Sequence, residues 1–187
     1  MSLDDVTALV LAGGSSRRFG SDKLSARLHG TSVLDHLLTS LPEAWTVIVV
    51  GARRETARRV QWGREDPPGG GPLAGVAAGV ALVPTEIVAV VAGDMPYAGP
   101  PLAELVAALR NQPPDVAGVV AMDDGGDANP LLAAYRTVAL ARAIPTPAHG
   151  HAAKLLLGLP HTELSIHGVA ARDVDTRADL DELDLPS

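Results

Sequence analysis

Glycines, hydroxyls and three cationic side chains follow the first apolar run of this 187-residue sequence within one short segment, the first loop. Glycine lets backbone N–H groups approach phosphate oxygens closely, because it has no Cβ atom. Arg18 and Lys23 could neutralise the charge that builds on the transferring and leaving phosphates of a triphosphate. The alternative is a tight turn whose Arg and Lys side chains face water. The first loop reads Leu11-Ala12-Gly13-Gly14-Ser15-Ser16-Arg17-Arg18-Phe19-Gly20-Ser21-Asp22-Lys23.

The glycine spacing excludes two common nucleotide loops. Gly13, Gly14 and Gly20 do not give the G-x-G-x-x-G pattern of dinucleotide sites, and no Gly-Lys-Ser/Thr follows as in a Walker loop. A triphosphate in the first loop would therefore be bound in another way.

Carboxylates at two places in the sequence have settings that suit magnesium. Asp94 follows an apolar run that predicts a buried strand, and a charge at the end of such a strand needs a partner. Mg²⁺ prefers one or two carboxylates together with phosphate oxygens and waters. Asp173 and Asp175 alternate along an extended stretch, so they point to one side and either could join Asp94. The alternatives are a helix N-cap or loop role for Asp94 and a helix N-terminus at Asp175.

Composition narrows the classes of site and partner. The sequence has no cysteine, so any metal must use oxygen or imidazole ligands, and its six histidines lack metal-ligand spacing. The formal net charge is −7 and aromatic residues make up 3%, which argues against a nucleic-acid partner. A small anionic ligand fits this composition, because a pocket can be locally positive on an acidic protein.

Short β-branched runs alternate with amphipathic segments, a pattern that predicts an α/β fold with a largely parallel sheet. Strands are expected at 7–11, 46–50, 87–92 and 116–121, and a weaker one at 59–62. Helices are expected at 32–41, 101–110 and about 151–157, with a helix-like segment up to residue 82. An acidic turn at 123–127 could close a hairpin with residues 130–135.

The length favours a single domain, residues 1–187. The apolar runs are far shorter than the roughly 20 residues of a membrane helix, and no export leader is evident. We therefore expect a cytoplasmic protein with no membrane partner.

Four motifs, in order and with similar spacing, resemble those of the MobA-like nucleotidyltransferases, a family that includes the molybdenum cofactor guanylyltransferases. The resemblance spans nearly the whole chain. The motifs are the first loop with Ser16, Arg18, Gly20, Asp22 and Lys23; Gly71-Pro72-Leu73-Ala74-Gly75; Gly93-Asp94-Met95-Pro96; and Asp173-Val174-Asp175-Thr176.

The resemblance implies a Rossmann-like three-layer sandwich of the nucleotide-diphospho-sugar transferase type, with the nucleotide at the carboxyl ends of the strands. It implies Mg²⁺-dependent transfer of a nucleoside monophosphate with release of pyrophosphate. Arg18, Lys23 and Asp94 would be catalytic, and Asp94 and Asp175 would hold the metal. The nucleotide-binding residues carried over are Leu11, Ala12, Gly13, Gly14, Lys23, Gly51, Asp66, Gly71, Pro72 and Asp94.

The four motifs are specific to the superfamily, and they specify the base and the acceptor much less. GTP is favoured and molybdopterin is the expected acceptor, with a molybdoenzyme or another protein of the cofactor pathway as a partner. Two departures keep CTP open: Gly51 stands where related guanylyltransferases tend to have Asn, and Asp173 and Asp175 stand where they commonly have Asn. Another small phosphorylated acceptor, such as phospholactate or a sugar phosphate, is a further alternative to molybdopterin. An alternative of another class is a nucleotide-binding accessory protein that does not turn over.

Other polar residues carry weaker expectations. Asn129 and the run that ends in Tyr135-Arg136 resemble a family segment that faces the acceptor, and His149, His151 and Lys154 could touch an acceptor phosphate. The pair Glu65-Asp66 matches a position where the family often has an acidic residue near the nucleoside, and Asp66 is the one carried over. The turn Gly69-Gly70-Gly71-Pro72 could let the backbone pass close to the ribose or base, or it could be a plain strand-to-helix connection. Four arginines could meet an anionic acceptor, but such a cluster is more typical of a solvated helix face; they are Arg53, Arg54, Arg58 and Arg59.

Overall fold

The computed structural model describes residues 5–14 and 19–184, and Arg18 lies outside them. Apolar, β-branched runs form the strands that are buried on both faces, as in other parallel sheets. The nine strands of the described residues are β1 Val6–Ala12, β2 Arg27–Leu28, β3 Thr31–Ser32, β4 Thr46–Gly51, β5 Gln61–Gly63, β6 Ile87–Ala92, β7 Gly118–Met122, β8 Ala128–Arg136 and β9 His161–Ser165.

Seven of these strands form one sheet in the order β5-β4-β1-β6-β8-β7-β9, and β2 pairs with β3 in a small hairpin. Every neighbouring pair in the large sheet is parallel except the two that involve β8. The chain runs outward from β1 to β4 and β5, then crosses to the other side of β1 to form β6. The sheet therefore has its topological switch point between β1 and β6, where open α/β sheets bind ligands at the carboxyl ends of strands.

Helices cover both faces of the sheet. The α-helices are α1 Val33–Ser40, α2 Pro72–Val80, α3 Gly99–Arg110, α4 Thr137–Ala143 and α5 Arg177–Leu183. Apolar residues of α1 and α3 pack with one face of the sheet, and those of α2 and α4 pack with the other. This is the expected three-layer α/β sandwich with a mostly parallel central sheet.

A third apolar cluster joins the end of the chain to the segment that follows β1. Phe19, Leu28 and Val33 pack there against Val174 and Leu180, and Val174 is fully buried. The backbone N–H of Val174 also donates to the carbonyl of Asp94 at 2.9 Å. The residues on either side of Val174 are thereby fixed beside the carboxyl end of β6.

Three sequence-based predictions of local structure need correction. The expected helix at 151–157 is a 3-10 helix, Ala153–Gly158, because Gly158 and Pro160 stop this short segment before α-helical turns can accumulate. The arginines at 53–59 lie in a loop between β4 and β5, so they do not form a helix face. Strand β9 and helix α4 were not predicted.

No helix within residues 5–14 and 19–184 combines the length and the apolar character needed to cross a membrane.

Candidate active site

Lys23 holds two carboxylates from distant parts of the chain. It begins a short 3-10 helix, Lys23–Ser25, whose N-cap Asp22 accepts a hydrogen bond from Leu24. Its Nζ lies 2.5 Å from Oδ2 of Asp94 and 2.9 Å from Oδ1 of Asp175. Because the Lys23 and Asp94 side chains are only 15% and 16% exposed, water screens this ion pair weakly, whereas the Asp175 side chain is 44% exposed and its pair is screened more.

Asp94 stands where β6 leaves the sheet beside β1. The N–H of Gly93 donates to the carbonyl of Leu11 at 2.9 Å, which keeps this turn against the start of the first loop. The Asp94 side chain is 16% exposed, and its Oδ1 is buried with no hydrogen-bond partner among the residues that the structure describes. A buried carboxylate oxygen without a donor is costly, so this atom fits a cation ligand.

Asp94, Asp173 and Asp175 form a carboxylate cluster. One oxygen from each of these residues lies within 4.8 Å of the other two, a spacing that one ion could bridge. Oxygen ligands of this type suit Mg²⁺, which completes its shell with waters and phosphate oxygens. The carboxylate cluster therefore has the right donors for the metal that the sequence implies, and Asp173 belongs to it as well as Asp175.

The charges of this cluster shift two pKa values. Burial lowers the pKa of Lys23, but the hydrogen bonds and charges of Asp94 and Asp175 outweigh burial, so the net shift is upward and Lys23 stays cationic. Burial raises the pKa of Asp173, and the neighbouring charges of Asp94 and Asp175 raise it further. Three carboxylates in one place thus repel one another, and a divalent cation would relieve that repulsion.

The helix N-terminus near Asp175 is capped by other residues. Thr176 accepts from the N–H of Asp179, and the Asp179 carboxylate accepts from the N–H groups of Thr176 and Asp175. This capping box fixes the start of α5 and leaves the Asp175 carboxylate turned toward Lys23. The alternative predicted for Asp175 was a role at the helix N-terminus, and its neighbours Thr176 and Asp179 fill that role.

The glycine loop, residues 66–71, connects β5 to α2 at the same edge of the sheet. Gly71 has φ 91° and is the N-cap of α2, and Pro72 occupies the first turn. The N–H of Gly70 donates to Oε2 of Glu65 at 2.7 Å, and its carbonyl accepts from Gly150 at 2.9 Å. Asp66, the predicted nucleotide-binding residue, is exposed at the start of this loop.

Gly51 has a packing reason to be glycine. It ends β4 next to Ala12, and a Cβ atom at this position would stand 2.5 Å from the Ala12 carbonyl oxygen. The close approach explains the residue type without reference to a base, and it keeps β4 against the start of the first loop.

A cavity of about 620 Å³ lies beside the glycine loop but away from the carboxylate cluster. Arg64, Asp66 and His149 line it together with alanines of α2, whereas Lys23, Asp94 and Asp175 do not. This cavity is thus a poorer guide to the chemistry here than the ion pairs of Lys23.

The expected acceptor segment is only partly at this edge. Asn129 lies at the start of β8, with its Nδ2 4.0 Å from the sulfur of Met95. Tyr135 is fully buried, and Arg136 donates to carbonyls of Gln112, Pro113 and Val116. Because β8 runs antiparallel to β6, its end lies at the opposite edge of the sheet, so the prediction that Tyr135-Arg136 faces an acceptor is wrong.

Glu65 was not among the predicted nucleotide-binding residues. The resemblance gave that role to the adjacent Asp66, whereas the Glu65 carboxylate accepts a hydrogen bond from the N–H of Gly70 in the glycine loop. The signal in the sequence was a pair of neighbouring acids, and a pattern alone does not separate their roles.

Comparisons with known proteins agree with this geometry. A family model described as "MobA-like NTP transferase domain" matches residues 8–162. The chain is 31% identical over 96 residues to a "Probable molybdenum cofactor guanylyltransferase" of Bacillus cereus (strain G9842), covering 47% of this chain and 48% of that protein. It is 40% identical over 94 residues to a protein of the same description from Opitutus terrae, covering 46% of each chain.

These matched stretches span about half the length of the curated relatives. Among solved structures, Rv0371c of Mycobacterium tuberculosis H37Rv superposes with a TM-score of 0.75 at 22% identity, covering 96% of this chain and 97% of that one. At this identity the likeness shows the fold alone.

Proposed function

The chain belongs to the MobA-like NTP transferase family, and from that premise we propose that it is a Mg²⁺-dependent nucleotidyltransferase that moves GMP from GTP to molybdopterin and releases pyrophosphate. The half-length matches to molybdenum cofactor guanylyltransferases support the guanine and molybdopterin parts of this proposal.

The observation that carries the proposal is the position of Lys23 between Asp94 and Asp175 at the switch point of the sheet. A cation flanked by carboxylates at the carboxyl ends of β1 and β6 suits a metal–triphosphate complex. Transfer of this kind depends mostly on positioning and charge stabilisation, so it requires no nucleophilic side chain.

The residues of the chain have separate roles in this proposal. Asp94 and Asp175, with Asp173 beside them, would hold Mg²⁺, which neutralises phosphate charge when bound. Lys23 would stabilise the negative charge that develops on the phosphates, and it needs no proton transfer for this role. Arg18 is proposed to add a second cation from the part of the first loop that the structure does not describe.

The nucleoside is proposed to lie between the first loop and the glycine loop. Leu11, Ala12, Gly13 and Gly14 offer backbone groups on one side, and Gly71 and Pro72 begin α2 on the other. Asp66 and Gly51 remain predicted nucleotide-binding residues.

Cytidylyl transfer is the second candidate. Asp173 and Asp175 stand where the guanylyltransferase pattern commonly has Asn, and Asp-x-Asp-Thr is at least as familiar among cytidylyltransferase relatives. We keep the cytoplasm as the proposed location and a molybdoenzyme, or another protein of the cofactor pathway, as the proposed partner.

The test is single-turnover transfer with purified protein, Mg²⁺, molybdopterin and either GTP or CTP. We expect pyrophosphate release with GTP and a product whose mass equals molybdopterin plus GMP minus one water, because a phosphoanhydride bond joins the two phosphates, and no product after Mg²⁺ is chelated. Formation of the corresponding CMP product with CTP, and of no product with GTP, would move the assignment to a cytidylyltransferase. Saturable nucleotide binding without pyrophosphate release would favour the non-catalytic accessory protein.

A further inference from the structure

Glu65 lies between the two loops that border the proposed nucleoside site. Its Oε2 accepts the N–H of Gly70 at 2.7 Å. Its Oε1 lies against the first loop, because a Cβ added to Gly13 would stand 3.3 Å from that oxygen. One side chain at the exit of β5 therefore spans the gap from the glycine loop to the first loop.

Gly70 is fixed from the opposite side as well. Its carbonyl accepts from the N–H of Gly150 at 2.9 Å. A Cβ added to Gly70 would stand 2.6 Å from the Ala74 Cβ and 2.8 Å from Nδ1 of His149. Both backbone polar groups of this buried glycine are thus bonded, and no room is left for a side chain.

Such a connection matters most in a segment that is rich in glycine. Glycine loses more backbone freedom on ordering than any other residue, so an unrestrained glycine loop would have to be ordered by the nucleotide itself. A loop that is already held in place removes that cost from binding. A hydrogen bond to an ionised carboxylate is about twice as strong as a neutral one, which suits Glu65 to this task.

We propose that Glu65 is a positioning residue that holds the glycine loop at a fixed distance from the first loop, and so prepares the nucleoside end of the site before nucleotide binds. The inference rests on the proposed function for the location of the nucleoside.

The test combines a measurement on the free protein with one on nucleotide binding. Hydrogen exchange of the Gly70 amide is followed by NMR in wild type, Glu65→Ala, Glu65→Gln and the control Glu104→Gln, an exposed acid on α3. We expect exchange to be about tenfold or more faster in Glu65→Ala, because the acceptor is lost. Glu65→Gln should change it by less, because the amide oxygen still accepts the bond. The control should match wild type.

The binding measurement uses the Kd and KM of GTP with Mg²⁺, or of CTP if that is the substrate. We expect both constants to rise about tenfold in Glu65→Ala, with kcat within about threefold of wild type, because the loss is in ordering the site and not in the chemical step. Glu65→Gln should restore most of the affinity.

Three results would overturn the inference. Unchanged Gly70 exchange in Glu65→Ala would show that Glu65 does not hold the loop. Faster exchange with unchanged nucleotide affinity would show that the position of the glycine loop does not affect nucleotide binding. Equal losses in Glu65→Ala and Glu65→Gln would exclude the hydrogen bond as the cause. A wild-type protein that binds no nucleotide would contradict the proposed function, whereas the exchange measurement would still test the contact itself.

Discussion

Lys23 joins parts of the chain that no local pattern could connect. It precedes Asp94 by 71 positions and Asp175 by 152, yet its Nζ contacts both carboxylates. The turn at Gly93 and the buried Val174 bring those carboxylates to it. In the absence of a divalent cation, Lys23 supplies positive charge that offsets the repulsion within the carboxylate cluster.

Substitution of Lys23 by Met keeps much of the side-chain shape and removes the charge. We expect kcat to fall about 100-fold or more, because phosphate charge is no longer offset in the transition state. We also expect a lower Tm in metal-free buffer and a larger rise of Tm on adding Mg²⁺ than in wild type, since the ion then relieves the carboxylates. Steady-state kinetics and calorimetry with and without a chelator measure these effects.

The matched control is Arg142→Met, which removes an exposed cation on α4. It should leave kcat and the Mg²⁺ response unchanged. Near-wild-type turnover in a folded Lys23→Met protein would contradict the role of Lys23.

The sequence could indicate single site residues only where a motif surrounds them. Asp94 was predicted because it follows an apolar strand, and Lys23 because it ends a glycine-rich loop. The contact of Lys23 with Asp175 was not predicted. Only the family resemblance assigned both residues to one site, since periodicity carries no information about contacts 152 positions apart. Glu65 was missed because a shift of one residue in a loop leaves every local pattern intact.

Among the strands and helices, the buried apolar ones were predicted more accurately than the exposed or short ones. Strands β1, β4 and β6 are continuous apolar runs, and the sequence located them to within a residue or two. Strand β9, with the sequence HTELS, is polar because it lies at the edge of the sheet, so no hydrophobic run indicated it. The seven-residue helix α4 is too short for a clear helical period.

The contacts of Arg58 show why the arginine-rich segment is a loop and not the predicted helix face. Its guanidinium donates to the backbone carbonyls of Leu38, Leu41, Pro42, Glu43 and Trp45, at distances of 2.8 to 3.2 Å. These carbonyls belong to the end of α1 and the turn that leads into β4. Arg58 therefore completes the C-terminus of α1, where a cation also interacts favourably with the helix dipole.

We predict that Arg58→Ala lowers the free energy of unfolding by about 2 kcal/mol or more, because several carbonyls lose a charged donor together. Arg58→Lys should recover little, since an ammonium cannot reproduce the planar fork of donors. Urea denaturation monitored by circular dichroism gives both values. Arg59→Ala, at an exposed neighbouring position, should stay within about 0.5 kcal/mol of wild type, and an equal loss in Arg58→Ala and Arg59→Ala would contradict this account.

For the whole molecule, the alternation of strands and helices was enough to predict the fold class. It could not predict that β8 would run antiparallel, which carries Arg136 to the edge opposite the carboxylate cluster. The sheet order places the ends of β1 and β6 side by side, and this arrangement brings the first loop and Asp94 together. A net charge of −7 is compatible with an anionic ligand if Lys23 and a divalent cation together offset the three carboxylates at this edge.

The central claim is that the carboxylate cluster and Lys23 bind a nucleoside triphosphate through a divalent ion. The most direct test is the thermal stabilisation of wild type, Asp94→Asn and Asp115→Asn by GTP, CTP, ATP and UTP, each with and without Mg²⁺. Asp115 is the matched control, because it is exposed before β7 at the opposite edge of the sheet.

We predict that GTP with Mg²⁺ raises the Tm of wild type and of Asp115→Asn by about 5 °C or more at saturating nucleotide. Chelation of Mg²⁺ should remove most of this rise, and Asp94→Asn should show little of it under any condition. Equal stabilisation of wild type and Asp94→Asn, or stabilisation that does not depend on Mg²⁺, would contradict the claim.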